Sequence, residues 1–235
     1  SKVILSSNEP DELDRVARDC SGEAPPMVLP IDLTDAEDLC AKADQVLDRF
    51  GCVDILINNG GVSHRSLVKE TDLAIDRRMM EINYFGHVVL TKALLPSMLT
   101  RKSGHIVVTT SVLGIIPVPL RSAYCAAKHA LHGFFDTLRA ETWEENIQVT
   151  LVCPAAVRTK ISVNALTGDG GTFGRMDNVV DKGITPEACA DIIMRAIRKG
   201  KREVVVGKGT GVYGVYMKRY LPGLFFRLLK RSEVV

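Results

Sequence analysis

Tyr124 and Lys128 stand four residues apart, so on a helix both side chains project from one face. Ser111 lies thirteen residues before Tyr124, just after the apolar run His105–Thr109. A strand end, a loop and a helix face can converge on one small volume. Hydroxyl, phenol and ammonium then form a proton-transfer unit that needs neither histidine nor metal. A phenol titrates near ~10 in water, and an adjacent cation favours its ionised form. That makes Tyr124 a usable acid and base near neutrality. Tyr and Lys at this spacing also occur on ordinary solvated helix faces, so the pair acquires meaning only from its surroundings.

The surroundings are those of a single domain. A chain of 235 residues can bury a sizeable core, and its apolar and charged fractions are those of a soluble globular protein. No apolar run reaches the length of a membrane span, and no signal-peptide pattern is seen. Six scattered cysteines lack metal-type spacing, which points to free thiols in a reducing compartment. A cytoplasmic protein without a metal site is expected. Net charge is +2 but uneven: from Arg195 onward eleven Lys and Arg face only Glu203 and Glu233.

Strands are predicted at Lys2–Ser6, Met27–Ile31, Val53–Ile57, His105–Thr109, Gln148–Cys153 and Glu203–Val206. Between them a helix opens near Asn8 and Pro10 and runs to about Cys20. A second starts from a Thr34–Glu37 capping box and stops at Gly51. Two more cover about Thr71–Asn83 and Tyr84–Thr100, a long one Ser122–Trp143, and one capped by Thr185 runs to Lys199. Residues 154–181 form a long Gly- and polar-rich connection.

Strands apolar on both faces and alternating with helices predict an α/β fold, a doubly wound, Rossmann-like parallel sheet with helices on both faces. Ligands of such sheets sit at the carboxyl ends of the strands, where Asp32, Asn58–Gly61, Ser111 and Pro154–Thr159 all fall.

These residues resemble the short-chain dehydrogenase/reductases, in their short single-domain branch. Asp32-Leu33-Thr34 looks like the acidic motif that meets the adenine amine. Asn58-Asn59-Gly60-Gly61 resembles N-N-A-G, with Gly for Ala. Asn83, Ser111, Tyr124 and Lys128 match the catalytic tetrad. Pro154–Thr159 (PAAVRT) resembles the P-G-x-V-x-T that lines the nicotinamide, with Ala155 for Gly. The resemblance implies an oxidoreductase moving a hydride between a nicotinamide cofactor and a carbonyl or secondary alcohol. Tyr124 would protonate the carbonyl oxygen, and Lys128 would depress the Tyr124 pKa and hold the ribose. Ser111 would stabilise developing negative charge, and Asn83 would fix a water linking Lys128 to solvent. Asp32, Leu33, Asn59, Gly60, Gly61, Tyr124, Lys128, Pro154, Val157 and Thr159 would line the cofactor. A homodimer or homotetramer is also implied, through the helices before and after the Ser111 strand.

One departure stands out. The family opens with a strand and a T-G-x-x-x-G-x-G turn for the pyrophosphate, and neither is present. The absent strand belongs mid-sheet, between Lys2–Ser6 and Val53–Ile57, so the native protein is expected to be longer. Gly207–Gly211 is read as a flexible turn rather than a displaced phosphate loop, since no well-patterned helix follows it. Ser6, Ser7 and Asn8 stand where NAD enzymes place an acid. That favours NADP(H), with NAD as the alternative.

The C-terminal tail, 207–235, is basic, aromatic and amphipathic. Leu224, Phe225, Leu228 and Leu229 are predicted on one helical face. It suits a membrane surface or a lipid-like substrate, or else caps the pocket or a subunit contact. No motif supports nucleic-acid binding. LPGLFF and MEINYFGHVVLTKALLPSM also resemble the narrower group of acyl- and alkyl-dihydroxyacetone-phosphate reductases. The competing reading is a non-catalytic binding or scaffold protein that keeps the fold without capturing cofactor.

Overall fold

The computed structural model describes residues 1–22 and 24–230. Strands and helices alternate as β1 (Ile4–Leu5), α1 (Pro10–Asp19), β2 (Met27–Val28), α2 (Ala36–Phe50) and β3 (Ile55–Asn58). There follow α3 (Leu73–Met80), α4 (Gly86–Arg101), β4 (Gly104–Thr109), α5 (Ser122–Glu141) and β5 (Ile147–Pro154). The chain continues with α6 (Asn178–Asp181), α7 (Pro186–Arg198), β6 (Glu203–Val206), α8 (Thr210–Tyr220) and α9 (Pro222–Leu229).

Local signals explain most boundaries. Thr185 caps α7 by accepting from Ala188 N, with Pro186 in the first turn. Gly51 ends α2 at φ 76°, a left-handed conformation that glycine adopts without strain. The cap of α2 is Asp35, bonded to Asp38 N at 3.0 Å, rather than Thr34. Thr34 is already engaged, through its N–H and hydroxyl, with Asp32 Oδ1 at 2.8 Å. The predicted break near Asn83 is absent: a π-helical turn, Glu81–Phe85, carries α3 into α4.

The sheet is parallel throughout, and its side chains alternate between two cores. From β4 and β5, Ile106, Val108, Val149 and Leu151 pack with Leu131 and Phe135 of α5 and Met98 of α4. Val107, Val152 and Val206 point the other way, onto Cys189 and Ile197 of α7. This two-sided burial makes it a Rossmann-like α/β fold.

The described strands form two sheets, β1–β2 and β3–β4–β5–β6. The break falls between β1 and β3, where the sequence placed the absent strand. Ile55 and Ile57 of β3 remain 46% and 49% exposed beside it, and one continuous cavity is lined by residues 1–9 and 52–63. The facing edges carry unpaired strand backbone and half-bare aliphatic side chains.

The tail bears on two expectations. A helix does follow the Gly207–Gly211 turn, although its apolar residues are weakly patterned: Gly209, at φ 83°, precedes the eleven-residue α8 directly. Of the predicted apolar face only Phe225 is buried, against Gly214, while Leu229 is half-buried and Leu224 and Leu228 stay largely exposed. Residues 231–235, including Arg231 of the predicted basic tail, lie outside the described residues. Lys218 Nζ donates to Ile115 O at 2.5 Å, which ties α8 to the loop after Ser111.

Candidate active site

Ser111, Tyr124 and Lys128 meet. Ser111 follows β4, is nearly buried, and interacts with the Tyr124 hydroxyl. Its Oγ also accepts from Leu113 N at 3.1 Å, which orients it. Tyr124 and Lys128 project from the buried face of α5, 7% and 3% exposed, with the ammonium 5.7 Å from the ring centroid. Lys128 Nζ donates to Thr109 O at 2.9 Å. Asn83 sits in the π-helical turn, a distortion frequent at functional sites. Its Oδ1 accepts from Val62 N at 3.2 Å and its Nδ2 donates to Met79 O at 3.1 Å. Gly61 lies between Asn83 and Lys128: a Cβ there would come 2.6 Å from Asn83 Oδ1 and 3.5 Å from Lys128 Nζ. At φ 157° the backbone itself also favours glycine.

Burial dominates the electrostatics. It pushes the Tyr124 phenol up to about 12 and the Lys128 ammonium down to about 8. The expected softening of the phenol by Lys128 is therefore outweighed by desolvation. What pulls the phenol down is first the hydrogen bond with the Ser111 hydroxyl and then the Arg121 cation. Burial outweighs both, so the phenol is protonated at neutral pH.

The Lys128 shift carries a stability signature. Between the folded value near 8 and the ordinary value of 10.5 the unfolded chain binds more protons, so stability rises with pH in that window. Lys128→Met removes the group. Wild type should therefore gain up to about 3 kcal/mol on this variant between pH 8 and pH 10.5, as read by denaturant unfolding. A stability difference that is flat with pH would show that Lys128 is not desolvated.

The remaining motif residues line the same cavity, which runs along the carboxyl ends of the strands with a volume of about 3270 Å³. That exceeds the ~300–1,000 Å³ of ordinary ligand pockets because it includes the break between β1 and β3. Asp32 and Leu33 lie at one side, and Leu33 packs on both Gly60 and Gly86. A Cβ at Gly86 would stand 2.5 Å from Leu33 O. Asn59 Oδ1 accepts from Thr109 Oγ1 at 2.9 Å, which joins the Asn-Asn-Gly-Gly turn to β4. Pro154 ends β5, Val157 bridges to Ile184, and Thr159 Oγ1 caps Ile161 N. Ala155, where the motif has Gly, is met by Gly207, whose added Cβ would lie 2.9 Å from the Ala155 methyl.

Sequence reasoning missed Arg65, Arg121 and Asp177. Both guanidiniums are nearly buried and share Asp177 Oδ2 beside the start of α5. The only local hint was Arg121 three residues before Tyr124. His87 was missed as well. Its Nε2 faces Gly60 O at 3.0 Å, and burial holds the ring down at about 3, so it is neutral.

Residues 1–169 match the family model described as short chain dehydrogenase. The chain belongs to the short-chain dehydrogenase family. It is 42% identical over 234 residues to the Dehydrogenase/reductase SDR family member 7B of Mus musculus, covering 97% of this chain and 72% of that protein. A short-chain dehydrogenase from Streptomyces avermitilis superimposes with a TM-score of 0.81 at 27% identity, covering 98% of this chain and 87% of that one. A Burkholderia phymatum short-chain dehydrogenase/reductase solved in complex with NAD gives 0.80 at 22% identity, covering 97% and 85%. The protein is thus an enzyme, a short-chain dehydrogenase/reductase. Its Rossmann-like sheet is the fold of these neighbours.

Proposed function

We propose that this short-chain dehydrogenase/reductase reduces a lipid-like ketone with NADPH. The observation that carries the reading is the convergence of Ser111, Tyr124 and Lys128 on a cavity that continues beneath α8 and α9.

The residues present fit a nicotinamide dinucleotide. Gly61 permits close approach, while Asn59, Lys128, Pro154, Val157 and Thr159 line one part of the cavity and Asp32 and Leu33 another. The pyrophosphate turn is not among them. Ser6, Ser7 and Asn8 follow β1 and line the cavity with no carboxylate before Glu9, which leaves room for a 2′-phosphate. When bound, the nicotinamide supplies a hydride to the carbonyl carbon. Tyr124, kept protonated by burial, donates its proton from Oη to the carbonyl oxygen. Ser111 Oγ holds the same oxygen as charge develops on it. Lys128 and Asn83, on either side of Gly61, are the groups through which the phenol regains its proton.

Gly211, Gly214, Met217, Phe225 and Leu228 line the cavity from the tail, which suits an apolar chain on the substrate. Phosphorylated ketones with one acyl or alkyl chain are therefore the first class to test. Among the described residues no helix is long and apolar enough to cross a membrane. Yet Tyr213 and Tyr220 are 71% and 77% exposed, and residues 204–230 carry Lys208, Lys218, Arg219, Arg227 and Lys230 with no acid. That face suits peripheral contact with anionic lipid. A second copy is proposed to pack on the outer face of α5, where Ala126 and Gly133 leave a low surface.

The experiment is a panel of short ketones, long-chain ketones and acyl-chain phosphoketones, each offered with NADPH or NADH, with and without anionic vesicles. We expect the long-chain compounds with NADPH to give the highest kcat/KM, raised further by vesicles. Clearly tighter binding of NADH in a fluorescence titration would overturn the cofactor assignment. Turnover confined to short ketones would overturn the lipid assignment.

A further inference from the structure

Asp177 lies in the long connection between β5 and α7, far in sequence from every catalytic residue. Its contacts run in several directions. Its Oδ1 accepts from Val179 N at 2.8 Å and so caps α6, and its own N–H donates to Ser162 Oγ at 3.2 Å. Its Oδ2 takes Arg65 Nη2 and, at 3.2 Å, Arg121 Nη2. Arg121 Nη1 donates in turn to Ser63 Oγ and to His64 O. The side chains of Arg65, Arg121 and Asp177 are only 6%, 9% and 13% exposed.

Three segments meet at this carboxylate. The first is Ser63–Ser66, which follows the Asn-Asn-Gly-Gly turn. The second is Leu120–Arg121, which enters the helix of Tyr124. The third is the connection itself, which begins with Pro154, Val157 and Thr159. Backbone pairing links all three: Arg65 N to Leu166 O at 2.8 Å, Leu166 N to Ser63 O at 2.9 Å, and Ser66 N to Leu120 O at 3.1 Å. Phe173 lies under the Arg65 guanidinium at 5.2 Å, closing the same contact.

We infer that Asp177 is a positioning residue for the carbonyl substrate, a clamp that seats the 155–185 loop against the Tyr124 helix and the Asn-Asn-Gly-Gly turn. It acts through the two guanidiniums. Without the carboxylate, two like charges stay buried side by side with no counter-ion, and the loop must lift to hydrate them. The inference uses the proposed ketone reduction only for where the substrate lies, since the clamp itself is read from protein contacts.

The charge also reaches the phenol. Tyr124 is faced by Ser111, Arg121 and Cys125, with Lys128 over its ring, while Asp76 and Arg121 act on neighbouring His64. Neutralising Asp177 leaves Arg121 uncompensated, which favours the phenolate. The alkaline limb of kcat/KM for reduction should then move to lower pH.

The test uses the enzyme carrying Asp177→Asn, with Ser162→Ala as a gentler variant that loosens the loop without changing charge. In hydrogen exchange, the amides of Arg65, Ser66, Leu166, Phe173 and Gly174 should exchange at least tenfold faster in Asp177→Asn. For the best ketone of the panel KM should rise at least tenfold, with kcat within threefold and NADPH affinity within twofold. Ser162→Ala should speed exchange in the same segments and raise KM without moving the alkaline limb. If Asp177→Asn does not fold, Ser162→Ala carries the test. Unchanged exchange would overturn the clamp, and so would losses of kcat, KM and NADPH affinity in parallel. Should no ketone turn over, hydrogen exchange alone decides the clamp, so its failure and that of the proposed reaction remain distinguishable.

Discussion

Tyr124→Phe is expected to lower kcat/KM for ketone reduction by about 10²–10⁴-fold, the usual worth of a positioned general acid. The ring is retained among Ile75, Met79 and Ala123, so packing is preserved. The lost hydroxyl leaves no orphan behind, because Ser111 Oγ keeps Leu113 N as a donor and Pro154 O as an acceptor. Stability should therefore change by less than about 1 kcal/mol, within the net value of one hydrogen bond. Loss of activity with an unaltered unfolding curve isolates the proton transfer. Retained activity would mean that another group protonates the substrate.

The second large effect concerns the break in the sheet. A strand placed between β1 and β3 would pair both open edges and complete the burial of Val3, Ile55 and Ile57, which are each about half exposed. Covering the remaining halves is worth about 3 kcal/mol, before any gain from new backbone bonds. A strand followed by a glycine-rich turn and helix also supplies backbone N–H groups for a pyrophosphate. Residues 1–235 alone should bind NADPH at least a hundredfold more weakly than a chain carrying such a unit ahead of Ser1. Their apolar edge should also bind a hydrophobic dye that the longer chain excludes. Equal affinity in a fluorescence titration would show that the break does not matter for the cofactor.

The fold was legible wherever neighbours in sequence decide the outcome. Continuous apolar runs marked β3, β4 and β5, and caps such as Thr185 and Gly51 marked helix ends, because these are local properties of backbone and side chain. The convergence of Ser111, Tyr124 and Lys128 was legible because a strand end and a helix face carry them at readable spacing. The gap in the sheet was legible too, since a doubly wound order leaves one place for the absent strand.

What escaped depends on distant partners. Asp177 meets Arg65 across 112 positions, and nothing near either residue announces the other. The burial that raises the Tyr124 phenol comes from α3 and the loops packed around it, so its first-order effect could not be weighed from Lys128 alone. The π-helical turn at Asn83 inserts an irregularity into an otherwise helical pattern. The weak pattern of α8, with Gly211 and Gly214 among tyrosines, concealed a helix whose glycines serve close contacts with Ala155 and Ile116. Leu224 and Leu228 stay largely exposed because Phe225 is the one fully buried residue of α9 among those described.

The most direct test of the account follows the label. The enzyme is given NADPH deuterated at the nicotinamide C4 together with its best ketone, and the alcohol is analysed by mass spectrometry for wild type and Tyr124→Phe. Wild type should place one deuterium on the carbinol carbon, and the variant should form the same labelled product at least a hundredfold more slowly. An unlabelled alcohol from wild type, or equal rates from both proteins, would contradict proton delivery from Tyr124 paired with hydride transfer.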